Sequence, residues 1–148
     1  MPSQDIHQRV LTLDDYEAII DLWQRAGLTS IRPQGRDSRA AFARQLASGV
    51  QRAIGLEHDG KLVAVIVATH DGRKGWLNRL AVDPAYRRRG LARRLIAAAE
   101  KWLASQGIVV WAALIEEGNE PSLRLFQSEG YVLARHILYL SKRPSAEA

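Results

Sequence analysis

The hydrophobic period of this chain changes partway along it. Apolar side chains at Tyr16, Ile19, Ile20, Trp23 and Ala26 follow the three-and-four spacing of a helix with one buried face, and Gly27 ends the run. Thr12, with Asp15 three residues on, resembles a capping box ahead of that helix, and Ile6 to Leu11 reads as a short strand before it. After the loop LTSIRPQGRDS, a second helical pattern from Ser38 to Ala47 places Phe42 and Leu46 on one side. Three strands then follow, Arg52 to Glu57, Lys61 to His70 and Gly75 to Val82, with Asp59-Gly60 supplying the chemistry of a tight hairpin. They predict an antiparallel meander, and LVAVIVA (Leu62 to Ala68), apolar on both faces, belongs at its centre.

The period returns to that of a helix from Arg89 to about Gln106, closed by Gly107. Leu91, Ala92, Leu95, Ile96, Ala99, Trp102 and Leu103 share one arc of the wheel, while Arg93, Arg94, Glu100 and Lys101 lie outside it. VVWAALI (Val109 to Ile115) reads as a strand buried on both faces, so the strand–helix–strand crossover sets it parallel to the strand ending at Val82. A shorter helix, Ser122 to Ser128, begins after Asn119 and Pro121, and two last strands are expected around Tyr131 to Ala134 and Ile137 to Ser141. The prediction is one α/β (α+β) domain over residues 1–148, with a mixed, mostly antiparallel sheet of six to seven strands and about four helices. Residues 141–148 read as a flexible tail.

Composition narrows the class. At 148 residues, 47% hydrophobic and 25% charged, the chain is an ordinary globular domain with one core. It contains no cysteine, which removes disulfides, thiolate metal sites and cysteine nucleophiles and points to a reducing, cytoplasmic setting. MPSQDIHQRV has no apolar signal core, and the run Ile108 to Ile115 is too short to span a bilayer. His7, His58, His70 and His136 are scattered without ligand spacing, so no metal site is expected.

The formal net charge of +5 suggests a polyanionic partner, and the position of the charges decides which kind. LAVDPAYRRRGLA, Leu80 to Ala92, puts three arginines and a glycine where a strand passes through a proline turn into a helix. A helix start carries unpaired N–H groups and partial positive charge, Gly90 allows close approach of an anion, and arginines add charge-assisted hydrogen bonds. The arrangement suits a pyrophosphate. The plain alternative is a solvated helix start. Nucleotide loops of the GxxxxGK[ST] and GxGxxG kinds are absent, and a nucleic-acid surface is the weaker reading because Trp102 and Trp111 sit on core faces.

LAVDPAYRRRGLA resembles the acyl-CoA signature of the GNAT superfamily of N-acyltransferases, with its core at Arg87-Arg88-Arg89-Gly90-Leu91-Ala92. NEPSLRLFQSEGY, Asn119 to Tyr131, is similar to the family's second motif, and the order of elements matches over nearly the whole chain. Small single-domain bacterial members, including relatives of ribosomal-protein acetyltransferases, are the most similar in pattern. The resemblance implies that the strands ending near Val82 and Ile115 splay apart to admit the pantetheine arm of acetyl-CoA. It further implies that Leu80, Ala81 and Val82 pair with that arm, and that Arg87, Arg88, Arg89, Gly90, Leu91 and Ala92 hold the pyrophosphate. Asn119 and Phe126 would lie along the arm, Asn119 being equally suited to cap its helix.

For catalysis the resemblance makes the Val82 N–H the oxyanion donor. Asn78 occupies a strand position often held by a glutamate; it can orient a water but cannot take a proton. Glu117 and its neighbour Glu116 are the nearest carboxylates for a base, and Phe126 stands where many members carry an acidic tyrosine. Tyr131 reads as core, and Arg32, Arg36 and Arg39 suggest an acceptor bearing carboxylate or phosphate, or else loop solubility. Three readings follow: an acetyl-CoA-dependent N-acetyltransferase acting on a small-molecule or peptide amine, a non-catalytic acyl-CoA binding module, and a nucleic-acid binder. No membrane partner is expected, and a homodimer is a frequent assembly in the family.

Overall fold

The computed structural model describes residues 5–148. Met1 to Gln4, the start of the stretch examined for a signal, lie outside the described residues. The elements are β1 (Ile6–Val10), α1 (Tyr16–Arg25), α2 (Arg39–Ala47), β2 (Gln51–His58), β3 (Lys61–His70), β4 (Gly75–Val82), α3 (Leu91–Ser105), β5 (Trp111–Ala112) and α4 (Glu120–Ser128), and the sheet order is β1-β2-β3-β4-β5. All neighbours pair antiparallel except β4 and β5, which are parallel.

Local chemistry sets the boundaries. The capping box forms: the Thr12 N–H donates to Asp15 Oδ2 at 2.8 Å and the Thr12 side chain accepts from Asp14, starting the short 3-10 turn Leu13–Asp15 that leads into α1. Ser38 caps α2 by accepting from the Ala41 N–H at 3.1 Å. His58 and Lys61 face each other across the Asp59-Gly60 turn, whose two residues both have positive φ, so β2 and β3 close as the two-residue hairpin the sequence predicts.

Two apolar layers sandwich the sheet. On one face α3 contributes Leu91, Leu95, Ile96, Ala99, Trp102 and Leu103, with Phe126 of α4, against Ala64, Ile66, Ala68 and Leu77. On the other, Ile19, Leu22 and Trp23 of α1 and Phe42 of α2 cover Val65, Val67 and Ala81. β3 is the middle strand, and every residue from Leu62 to Ala68 is buried. Complete burial of Leu95, Ile96 and Leu103 stabilises the fold by roughly 1.5–3 kcal/mol each.

The far edge departs from expectation. Among the described residues the sheet has five strands, not six to seven, because Tyr131–Ala134 and Ile137–Ser141 do not join it. The turn between them forms, with the Ile137 N–H donating to the Ala134 carbonyl at 3.4 Å. Both this segment and residues 109–119 line a cavity of about 1120 Å³ and do not pair as strands. β5 is correspondingly brief, and VVWAALI is not buried on both faces: Val109 is 82% exposed, and Val110 and Leu114 are also on the surface. With no outer strand paired to β5 among the described residues, these three side chains stay exposed.

Candidate active site

β4 carries the feature that organises the site. Val67 faces Asn78 and Val65 faces Ala81, so Arg79 and Leu80 oppose the single residue Ile66 in a β-bulge, with Arg79 at φ 55°. The bulge reverses the inside–outside alternation of the strand. Before it Leu77 packs with the α3 layer; after it Ala81 packs with the α1 layer and Leu80 and Val82 turn to α3. The indole N–H of Trp23 donates to the Arg79 carbonyl at 3.2 Å and holds the irregular backbone in place.

Beyond the bulge one edge of β4 is open. The Asp83 N–H donates to the Val63 carbonyl at 2.8 Å, and bonding alternates along an antiparallel strand, so the N–H and C=O of Val82 point away from β3. On that side β5 pairs only through Gly75 with Trp111 and Trp76 with Ala112. The parallel pair therefore parts after two residues, as expected of splayed strands, and the edge from Leu80 to Val82 faces the gap.

The gap leads to the start of α3. Asp83 closes the proline turn by accepting from the Ala85 N–H at 2.9 Å, and it is held by Arg25 and, at 3.6 Å, Lys61. Burial pushes its carboxyl up, but the Ala85 N–H, Arg25 and Lys61 together hold it below the usual carboxylate range. Arg88 at φ 65° and Gly90 at φ 76° then curl the chain so that α3 begins at Leu91, with its first ladder bond from Arg94 N–H to Gly90 carbonyl. The N–H groups of Leu91, Ala92 and Arg93 precede that bond and have no acceptor in the helix. A Cβ built on Gly90 would meet no atom within 4 Å, so the approach to these amides is open. Arg87, Arg88 and Arg89 are exposed around it, and Arg89 lies over the Tyr86 ring at 4.8 Å.

A cleft of about 910 Å³ opens on the bulge from the α1 side. Asn78, Leu80, Asn119 and Phe126 line it together, as do Ala113, Leu114, Ile115 and Glu116. Glu117 lines the second cavity and not this one. Asn78 Nδ2 donates to Thr69 Oγ1 at 3.1 Å, leaving its carbonyl oxygen to accept. Asn119 caps α4 by accepting from the Ser122 N–H at 3.3 Å. Phe126 is buried edge-on to Tyr131, whose hydroxyl donates to Glu100 at 2.7 Å. Burial first and Glu100 second push the Tyr131 hydroxyl well above its ordinary value, which makes it a poor proton donor. Among the described residues no group of three metal-ligating side chains exists, and no helix is long and apolar enough to cross a membrane.

Of the three loop arginines, Arg32 and Arg36 line the cleft, whereas Arg39 pairs with Glu17 at 2.9 Å and lies over Tyr16. The residue that sequence reasoning missed is Arg79. Its side chain, 15% exposed, lies over the Trp23 ring at 5.3 Å and donates from Nη2 to Asp37 Oδ2 at 3.0 Å. Residues 145–148 return to the same loop, where Arg32 Nε donates to the Ala146 carbonyl at 3.1 Å.

Comparison with known proteins matches this architecture. The family model described as Acetyltransferase (GNAT) family covers residues 16–131. The acetyltransferase SG1711 of Sodalis glossinidius (strain morsitans) is 31% identical over 135 residues, 91% of this chain and 93% of its own length. The acetyltransferase ECA0875 of Pectobacterium atrosepticum is 30% identical over 83% of this chain and 85% of its own. Among solved structures, the PaiA N-acetyltransferase of Thermoplasma acidophilum in complex with coenzyme A matches with a TM-score of 0.76 at 18% identity, over 88% of this chain and 91% of that one. AAC(6')-Iy in complex with the bisubstrate analog CoA-S-monomethyl-acetylneamine matches with a TM-score of 0.77 at 20% identity, over 93% and 98%. The two structures share the fold, and the family match and the curated relatives carry the assignment: the chain belongs to the Acetyltransferase (GNAT) family.

Proposed function

We propose that this acetyltransferase moves the acetyl group of acetyl-CoA directly to a primary amine. The observation that carries the reading is the continuity between the open edge of β4 and the exposed amides at the start of α3. One surface thus offers strand-like partners for an amide-bearing arm and, one turn later, a cradle for a pyrophosphate. Two structural neighbours carry CoA or a CoA-derived analog.

Leu80, Ala81 and Val82 receive the pantetheine arm, Arg87 to Ala92 bind the pyrophosphate, and Asn119 and Phe126 flank the arm in the cleft. The Val82 N–H, turned away from β3, donates to the thioester oxygen as the amine attacks the carbonyl carbon. As the C–S bond breaks, the nitrogen sheds a proton and the sulfur gains one. Asn78 orients a water through its free carbonyl oxygen, and Glu116 on the cleft wall takes the proton from that water. Phe126 donates no proton, so the thiolate is protonated by water, which its ordinary pKa of about 8.5 permits.

A screen of primary amines, following release of the CoA thiol, tests the reading. At least one class should release thiol, and Gly90→Glu should abolish the release while keeping the circular dichroism of the fold. Acetyl-CoA binding without transfer to any amine would overturn it in favour of a non-catalytic acyl-CoA binding module, the reading that Asn78 and Phe126 motivate.

A further inference from the structure

The acceptor side of the cleft has an excess of fixed positive charge. Arg32, Arg36, Arg79 and Arg143 line it, against only two carboxylates, Asp37 and Glu116. Asp37 is 9% exposed and already engaged: its Oδ2 accepts from the Arg32 backbone N–H at 2.7 Å as well as from Arg79. Arg32 donates from Nη1 to the Thr29 and Ile31 carbonyls at 3.2 and 3.0 Å and from Nε to that of Ala146 at 3.1 Å, and Arg36 donates from Nη2 to the Ser30 carbonyl and from Nη1 to the Ala148 main-chain oxygen, both at 3.4 Å. The Thr29, Ile31 and Ser30 carbonyls orient the two guanidinium groups as dipoles and carry no net charge.

Arg79 is the most constrained of the set. Its Nη1 is buried with no hydrogen-bond partner among the described residues, while Nη2 is fixed by Asp37. A buried, unsatisfied N–H of a charged group is costly, and so is an arginine in the left-handed region of a strand. Both occur on one residue at the floor of the cleft, held by Trp23 from below and from the side. Burial lowers the proton affinity of this guanidinium; Asp37 opposes that, and the nearby charges of Arg36 and Arg32 reinforce it. Among the described residues Asp37 is the side-chain carboxylate paired with the cluster, and Arg79 Nη1 is left without an acceptor.

We infer that Arg79, with Arg36 and Arg32 beside it, binds a carboxylate of the acceptor, so that the amine substrate is an amino acid or short peptide with a free carboxylate. The inference rests on the acetyl-transfer reading above and names its substrate class. A carboxylate accepts from the Arg79 Nη1 and the rim arginines by charge-assisted bonds. The same positive field disfavours the ammonium form of the incoming amine, delivering the neutral nucleophile that attack requires. It also repels acceptors that carry several cations.

The test uses thiol release with wild type, Arg79→Lys, Arg79→Met and Arg36→Gln. Acceptors are the L-amino acids and a set of dipeptides, each beside its own carboxamide, with spermidine and neamine as polycations. Wild type should prefer the free acid over its carboxamide by about ten- to a hundredfold in kcat/KM, expressed chiefly in KM. Arg79→Met should collapse that preference and Arg79→Lys retain part of it. Arg36→Gln, which breaks no ion pair with a side-chain carboxylate among the described residues, should reduce it while leaving the fold intact and so guards against misfolding of the Arg79 variants.

Equal use of acids and carboxamides, or a preference that survives Arg79→Met in folded protein, would overturn the inference. So would spermidine or neamine as the best acceptor, although acetyl transfer itself would then stand. Absence of thiol release with every amine would overturn both this inference and the reading beneath it.

Discussion

Arg79 and Arg88 share a left-handed backbone, at φ 55° and 65°, but have opposite surroundings. Arg79 sits in a strand bulge, over an indole ring and paired with a carboxylate that is itself buried. Arg88 sits at the mouth of α3 with its side chain in solvent. The contrast separates two ways of binding an anion. In the proposed cofactor site at the helix start, peptide N–H groups would do the binding and the arginines add a screened, adaptable field; such a site would recognise a phosphate whatever is attached to it. At the bulge, one guanidinium is desolvated and fixed in direction before any ligand arrives, which favours selection by shape.

The largest expected effect breaks the helix-start half of this comparison. Gly90→Glu puts a left-handed strain and a carboxylate over the amides of Leu91 and Ala92, and should weaken CoA binding about a hundredfold or more, read by titration calorimetry. Arg88→Glu should cost much less; an equal loss would mean that side-chain charge, not backbone, dominates there.

Next is the bulge. Arg79→Gly relieves the backbone but abandons Asp37, and should lower unfolding stability by about 1–3 kcal/mol in denaturant titrations. Adding Asp37→Asn should recover part of that loss, and a more stable Arg79→Gly would refute the account of the pair.

Asp83 sets a smaller effect below the helix start. Its carboxyl titrates below the ordinary 3.8 in the folded chain, so its contribution is present above that pH and is lost as pH falls through the folded value. Asp83→Asn should therefore cost about 1–2 kcal/mol at pH 7, with the gap from wild type closing in acid below pH 3.8.

The smallest effect belongs to Arg88→Gly. Relief of the left-handed residue and the added freedom of the unfolded chain nearly cancel, leaving stability within about 1 kcal/mol, while CoA affinity becomes less dependent on salt.

The helix-start half was legible in the sequence because its parts are contiguous: strand, proline turn, arginines, glycine and helix follow one another from Leu80 to Ser105. The helices and the first four strands were legible from their periods for the same local reason. Arg79 was not. In GWLNRLAV it reads as one polar residue on an apolar strand, and its importance comes from partners far off in sequence, Trp23, Asp37 and the register with Ile66. The signal available was Asn78-Arg79, two adjacent polar residues interrupting an alternating strand, which is how a bulge can appear in one dimension. The last two strands were misjudged because a run of apolar residues such as YVLA or ILYL reports a wish for burial, not the presence of a neighbouring backbone. Glu117 was chosen by proximity along the chain and Arg39 by its place just after the loop between the first two helices, and in the structure Glu117 lines the second cavity and Arg39 pairs with Glu17.

The brief contact between β4 and β5 has a consequence for how the molecule comes apart. Two residue pairs join β5 to a sheet whose other strands are laddered along most of their length, so the weakest seam lies between β4 and the edge strand β5. The part beyond it, β5 with α4 and the segment after Tyr131, should open and reclose as a separate cooperative unit while β1 to β4 stay shut, exchanging its amide hydrogens faster than theirs. A molecule seated in the seam would tie the two units together, and the difference in exchange would shrink as its concentration rose.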